Sequence, residues 1–198
     1  MKRLLALPIL LSLPLLAAAQ PEQADYLYLD LGYGKSETDV PGGDVEGNGL
    51  GFEVSVPVRE HIHLVGGYAA SELDDNADAD SVEKYFGVGT QWSLARKLSV
   101  YGQAGVIDLD LDVGAGNLED DGLFLSGGVR FMPTAGWEIR GGFDYVDLDV
   151  LDTDTSLFVA TDLFLTDVVA LTARITGNDD TTALTIGGRF YFGNEQAR

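Results

Sequence analysis

The sequence predicts an all-β protein, a ten-stranded antiparallel up-and-down barrel that crosses a membrane with its strands, and three observations carry that prediction. Segments of roughly ten residues alternate apolar and polar side chains, the number of segments is even, and long connections strictly alternate with short ones. The last segment, Thr181 to Phe192, is the clearest: Leu184, Ile186, Gly188, Phe190 and Phe192 lie on one face and Ala183, Thr185, Gly187, Arg189 and Tyr191 on the other.

The chain opens with Met1-Lys2-Arg3, an apolar run from Leu4 to Leu16, and Ala17-Ala18-Ala19 before Gln20. Positive, apolar and small-residue regions in that order mark residues 1–19 as a signal peptide for export, leaving 20–198 as one barrel domain with a short tail, 193–198. The apolar run contains Pro8 and Pro14 and falls short of the ~20 residues that a spanning helix needs. Cysteine is absent, so stability rests on packing or on the bilayer rather than on disulfides. A formal charge of −20 argues against nucleic acid as a partner, because phosphate binding needs clustered Lys and Arg.

The first segment, Tyr26 to Tyr33, sets Leu27, Leu29, Leu31 and Tyr33 against Tyr26, Tyr28, Asp30 and Gly32; an acidic loop, Lys35 to Glu46, follows. The second places Leu50, Phe52, Val54, Val56 and Val58 opposite Gly51, Glu53 and Ser55, and turns at Pro57 to His61. The third carries Ile62, Leu64, Tyr68 and Ala70 before an acidic loop from Glu72 to Ser81, and the fourth sets Phe86, Val88, Trp92 and Leu94 opposite Tyr85, Gly87 and Gly89. In the fifth, Leu98, Val100, Ala104 and Val106 share a phase that then passes to Ile107, Leu109 and Leu111, so a β-bulge is expected near Val106. A loop from Val113 to Gly122 leads to the sixth, where Leu123, Leu125, Val129 and Phe131 oppose Phe124, Ser126 and Arg130. The seventh sets Trp137, Ile139, Phe143 and Tyr145 against Glu138, Arg140 and Asp144, with a second change of phase before Val146. The eighth carries Leu157, Val159 and Leu163 opposite Phe158, Ala160 and Asp162, and the ninth Val169, Leu171 and Ile175 opposite Thr172 and Arg174. An eight-stranded count, the second choice, requires merging segments across evident turns.

The apolar face is read as turned toward lipid. Aromatic residues cluster toward strand ends, Trp92, Phe131, Trp137 and Phe192 by the short turns and Tyr33, Tyr68 and Tyr145 nearer the long connections, as two interfacial girdles require. A soluble lipocalin-like carrier alternates equally well but turns its apolar face inward; the mid-strand charges and glycines of the polar face fit a crowded lumen better than an outer surface.

Gly66-Gly67-Tyr68, Gly87-Val88-Gly89 and the ending Gly187-Gly188-Arg189-Phe190-Tyr191-Phe192, together with the signal peptide, resemble the small single-domain outer-membrane β-barrel proteins of proteobacteria, the OmpA-like and OmpX-like group. The resemblance spans the whole mature chain as a pattern rather than as a sharp motif. It implies residence in the outer membrane among lipid and lipopolysaccharide, as a monomer, after insertion by the barrel-assembly machinery, with Phe190 and Phe192 in the last strand as the assembly signal. Two departures stand out: Gly193 to Arg198 follow the terminal aromatic, and no peptidoglycan-binding domain follows the barrel.

Two sets of residues are candidates for function. Arg130, Arg140, Arg174 and Arg189 fall on the inward face with Asp30, Glu53, Glu138, Asp144 and Asp162 as partners, and charges placed there must be paired or wet. Read as a plug they fill the lumen and fix register, which suits a narrow barrel; read as a wet lining they make a small ion-conducting path. The acidic connections supply Asp74, Asp75, Asp78 and Asp80, with Asp108, Asp110 and Asp112 at every second position, a set of oxygen ligands for a divalent cation such as Ca²⁺ without the spacing of an EF-hand. No other cofactor is expected. The histidines, His61 and His63, lie beside a short turn, where they read as lumenal polar residues or as a pair with Glu60, and are misplaced for hydrolytic chemistry at the opposite rim, so no enzymatic activity is expected. The reading is therefore an integral outer-membrane barrel with a salt-bridged lumen and acidic outer loops, mainly structural, with a small pore or cation-dependent surface binding as the alternatives.

Overall fold

Ten strands follow one another in the computed structural model: β1 (Tyr28–Val40), β2 (Gly43–Arg59), β3 (Ile62–Asp74), β4 (Ala79–Ala95), β5 (Leu98–Val113), β6 (Asn117–Thr134), β7 (Trp137–Leu148), β8 (Asp154–Phe164), β9 (Val169–Gly177) and β10 (Thr181–Tyr191). The structure describes residues 26–40, 43–74, 79–113, 116–151 and 153–192; the expected signal peptide, Asp75, Asp78 and the 193–198 tail lie outside them. Each strand pairs antiparallel with its successor and β1 closes on β10, so the sheet has no free edge. Closure satisfies every strand's backbone donors and acceptors within the sheet, the condition for crossing hydrocarbon.

Which face points inward is settled by exposure. Leu50, Val106, Leu123 and Leu157 are 57 to 69% exposed, whereas Ser55 and Asp162 are fully buried and Glu138 is 1% exposed. Apolar outside and charged inside is the arrangement of a barrel that meets lipid, and the reverse of a lipocalin. The band is bounded by Trp92, Phe131, Trp137 and Phe192 at the short-turn end and by Tyr33 and Tyr68 at the other. Trp137 donates its indole N–H to Thr161 Oγ1 at 2.6 Å, keeping the ring's polar atom satisfied at the interface.

The expected bulge near Val106 is not there. Register runs unbroken along β5 on both sides, from Ser93↔Ser99 to Ala79↔Val113 against β4 and from Leu98↔Phe131 to Asp112↔Asn117 against β6. Val106 points out and Ile107 is buried inside, so the alternation continues and the environment changes instead. Above Val106 the outer face leaves the bilayer and carries Asp108 and Asp110, while apolar residues take the inner face. The change before Val146 has the same origin, since β7 keeps its register against β6 through Leu148. Irregularities occur elsewhere, between Pro57 and Arg59, Ser93 and Ala95, and Phe131 and Thr134, each beside a short turn.

The expected acidic loops are mostly strand. β1 and β2 pair out to Val40↔Gly43, β3 and β4 pair out to Leu73↔Ala79, and β6 begins at Asn117. Strands β1 to β6 have 13, 17, 13, 17, 16 and 18 residues, well beyond the ~9–11 that span a bilayer, whereas β7 to β10 have 9 to 12. The barrel therefore carries a tall wall on one side of its long-hairpin end, which is the extracellular end of barrels of this type.

Candidate functional site

The lumen is built by register. Arg130 on β6 lies directly opposite Arg140 on β7, and Glu138 opposite Asp162 on β8, so immediate cross-strand neighbours carry like charge. Like charges directly opposite repel, and the side chains resolve this by reaching diagonally. Arg130 donates Nε and Nη2 to the two oxygens of Glu138 at 3.0 and 2.9 Å. Arg140 donates Nη2 to Asp162 at 2.9 Å and holds Nε 3.5 Å from Glu138. Arg189 on β10 donates Nη1 to the other oxygen of Asp162 at 3.2 Å, and Nε and Nη2 to Asp30 on β1 at 2.8 and 2.6 Å. Six of the expected residues thus form one ladder across the lumen, Arg130, Glu138, Arg140, Asp162, Arg189 and Asp30. Arg174 and Asp144 pair with each other nearer the long-hairpin end, where Ser126 also donates to Asp144 at 2.8 Å.

Glu53 departs from the expectation of an arginine partner. Its carboxylate accepts from the hydroxyls of Tyr28 and Tyr85, each at 2.6 Å. Sequence reasoning missed both tyrosines as site residues, although their inward phase was legible. Tyr85 on β4 reaches β2 by lying across Gly67 of β3, where a Cβ would come within 2.5 Å of its ring. His63 likewise lies across Gly89 to place Nε2 3.2 Å from Gln103. Arg189 reaches two strands over past Ala170, which is fully buried opposite it. The inward glycines and alanines are seats for long side chains that skip a strand.

The short-turn mouth is closed by packed rings. Tyr26, Tyr28, Met132, Phe164, Ala170 and Tyr191 form a buried cluster, with Phe164 and Tyr191 stacked at 5.4 Å. Tyr26 crosses the lumen from the β1 side, with His63 at 4.5 Å from its ring and the Arg130 guanidinium 4.5 Å from its centroid. A cavity of about 360 Å³ extends from Tyr26 up to Asp154 and Ser156, and a separate one of about 10 Å³ lies on the short-turn side, between Tyr26, Lys97, Met132 and Glu138. That is the lower limit for one water. A second cavity of about 370 Å³ lies on the β1 to β3 side, between Asp30 and Ser36.

Of the remaining expected residues, those that are described form no common site. Asp108 and Asp110 face outward on β5 and bond to Lys84 Nζ at 3.2 and 2.8 Å; beside those two carboxylates, Asp110 foremost, the ammonium is held above the ordinary lysine range. Asp80 stands opposite Asp112 in register, and Asp74 ends β3. Among the described residues no three acidic or histidine side chains are placed to share one metal ion. His61 is an exposed turn residue rather than lumenal, and His63 is buried with Gln103 and Tyr26 as its partners in place of Glu60. Phe190 and Phe192 are exposed on the lipid face at the end of the chain's last strand.

The outer membrane protein beta-barrel domain family matches residues 5–192. The chain belongs to that family. Structures similar to this outer-membrane barrel include Neisserial surface protein A, at 12% identity, covering 83% of this chain and 96% of the other with a TM-score of 0.46. The KdgM porin is 11% identical over 83% of this chain and 99% of its own, with a TM-score of 0.45. Ail of Yersinia pestis is 16% identical over 82% and 97%, with a TM-score of 0.40. Among curated protein sequences none matches the chain.

Proposed function

We propose that this outer-membrane barrel is a structural component of the envelope whose lumen is sealed rather than conducting. The observation that carries the reading is the packing at the short-turn end, where the Tyr26 ring lies against His63 and under the Arg130 guanidinium, itself held by Glu138. A hydrated ion needs a continuous path wide enough for water, and the charges of the ladder are already held in ion pairs. Purified protein in planar bilayers is expected to give no conductance above background. Discrete steps with the wild-type protein would overturn the proposal. Catalysis has no place in this reading, since the lumenal His63 is enclosed at the end away from the outer surface.

Export by residues 1–19, monomeric residence among lipid and lipopolysaccharide, and assembly through the last strand complete the proposal. A second reading, cation-dependent surface binding, is favoured by one observation. Above the apolar band the outer faces carry Glu37, Asp39, Glu46, Asp110 and Glu119, with Lys35 and Lys84 as the basic residues there among those described. Divalent cations would bridge such a face to the phosphates of surrounding lipopolysaccharide. Calcium titration followed by calorimetry tests it, and heat that fails to saturate excludes a defined site.

A further inference from the structure

Nearly every inward carboxylate of the barrel has a donor. Asp30, Glu138, Asp144 and Asp162 are held by arginines, Glu53 by two tyrosines, and Asp120 by the backbone N–H groups of Asp149, Val150 and Leu151. Glu83 is the exception: among the described residues no hydrogen bond or ion pair reaches it, although it lines both lumenal cavities. The charged group that acts on it is a second carboxylate, Asp144, already engaged by Arg174 and Ser126. An ionised, half-buried carboxylate beside a like charge is unfavourable, and a cation sharing the space would relieve it.

The surroundings say which kind of cation. The cavity of about 360 Å³ is lined, together with Glu83, by the inward rings of Tyr85, Tyr101 and Phe124 and by four arginines that each already hold a carboxylate. Aromatic faces attract an ammonium and cover the carbon skeleton attached to it. A hard divalent ion wants six to eight oxygens, and among the described residues no third acidic ligand joins Glu83 and Asp144. The volume falls at the lower end of small-ligand sites, and the acidic outer wall concentrates cations at the entrance. We propose that the long-hairpin half of the lumen is a blind binding site for a small organic cation, an amine carrying an apolar or aromatic body, with Glu83 as the anchor and the Tyr85, Tyr101 and Phe124 rings as its wall.

The test is calorimetric titration of phenethylammonium into the detergent-solubilised full-length mature protein, with uncharged 2-phenylethanol as the control probe. Saturable binding of phenethylammonium is expected, at least tenfold weaker for 2-phenylethanol and for Glu83→Gln, whose folding is checked by heat-modifiable gel mobility. Lys84→Ala, on the opposite face of the same strand, should bind as the wild type does. Tyr101→Leu, which leaves all charges in place, should weaken binding at least threefold. Equal affinity of wild type and Glu83→Gln, equal affinity for the two probes, or no saturable heat with the wild type would each overturn the proposal.

Discussion

Asp162→Ala is the most informative perturbation of the ladder. Asp162 is fully buried and accepts from Arg140 at 2.9 Å and from Arg189 at 3.2 Å, one guanidinium on each oxygen. Truncation leaves Arg140 with one ion pair, to Glu138 at 3.5 Å, and leaves Arg189 with Asp30 and the face of the Tyr28 ring. Removing one partner of a buried ion pair typically costs about 3–5 kcal/mol, because the surviving charge stays desolvated and uncompensated. Asp162 serves two arginines that each keep a second partner, so a loss of about 3–5 kcal/mol is expected here, a large part of a total stability of about 5–15 kcal/mol. The assay is equilibrium unfolding by urea in phospholipid vesicles, followed by tryptophan fluorescence and heat-modifiable mobility. The triple variant Asp30→Asn, Asp162→Leu and Arg189→Met should recover part of the loss, since it removes Arg189 together with both of its carboxylate partners. A change smaller than about 0.5 kcal/mol for Asp162→Ala would refute the reasoning, because it would mean that water already solvates the arginines and that the ladder is not a seal.

Tyr85→Phe withdraws one of the two hydroxyls on Glu53 without altering ring packing; a loss of about 1–3 kcal/mol in the same unfolding assay is expected. Gly89→Val places a side chain where the His63 ring lies and should destabilise by about 1–3 kcal/mol through overpacking, whereas the same change at Gly102, where a Cβ makes only an ordinary contact with Ser126 O at 3.9 Å, should cost less. Lys84→Ala breaks a solvent-exposed pair and should shift the unfolding midpoint little, the difference shrinking further at 1 M salt. Because the Lys84 pKa is raised, its contribution is fully present below the ordinary lysine pKa of about 10.4 and is lost as pH rises through the higher folded value. Phe190→Ser should slow insertion into the outer membrane, measured as accumulation of unfolded chain in the periplasm, with the stability of the barrel once inserted reduced far less.

Period-2 patterning was enough to place all ten strands, their pairing order and the lipid face, because a side-chain period of two and a lipid solvent leave a half-polar segment few alternatives. It was also enough to place the four arginines and five acids inside. Patterning failed at Val106 and Val146, where a strand left the bilayer and the preferred face reversed without any change of phase. Periodicity reports solvent as well as register, and one sequence cannot separate the two. For the same reason the acidic stretches read as loops, when most of their length is paired strand in water.

The tertiary structure decided who meets whom inside. Arg189 reaching Asp162 past Ala170, and Tyr85 reaching Glu53 past Gly67, are contacts between strands that are not neighbours, and they depend on barrel curvature and on small residues in the gap. The packing of Tyr26 under Arg130, and the inward carboxylate of Glu83 left without a donor among the described residues, follow from the same geometry. Sequence alone determined which side chains enter the lumen, since alternation is a property of each strand by itself. Their partners were settled only when the sheet closed, because closure fixes the distances across the lumen that no single strand contains.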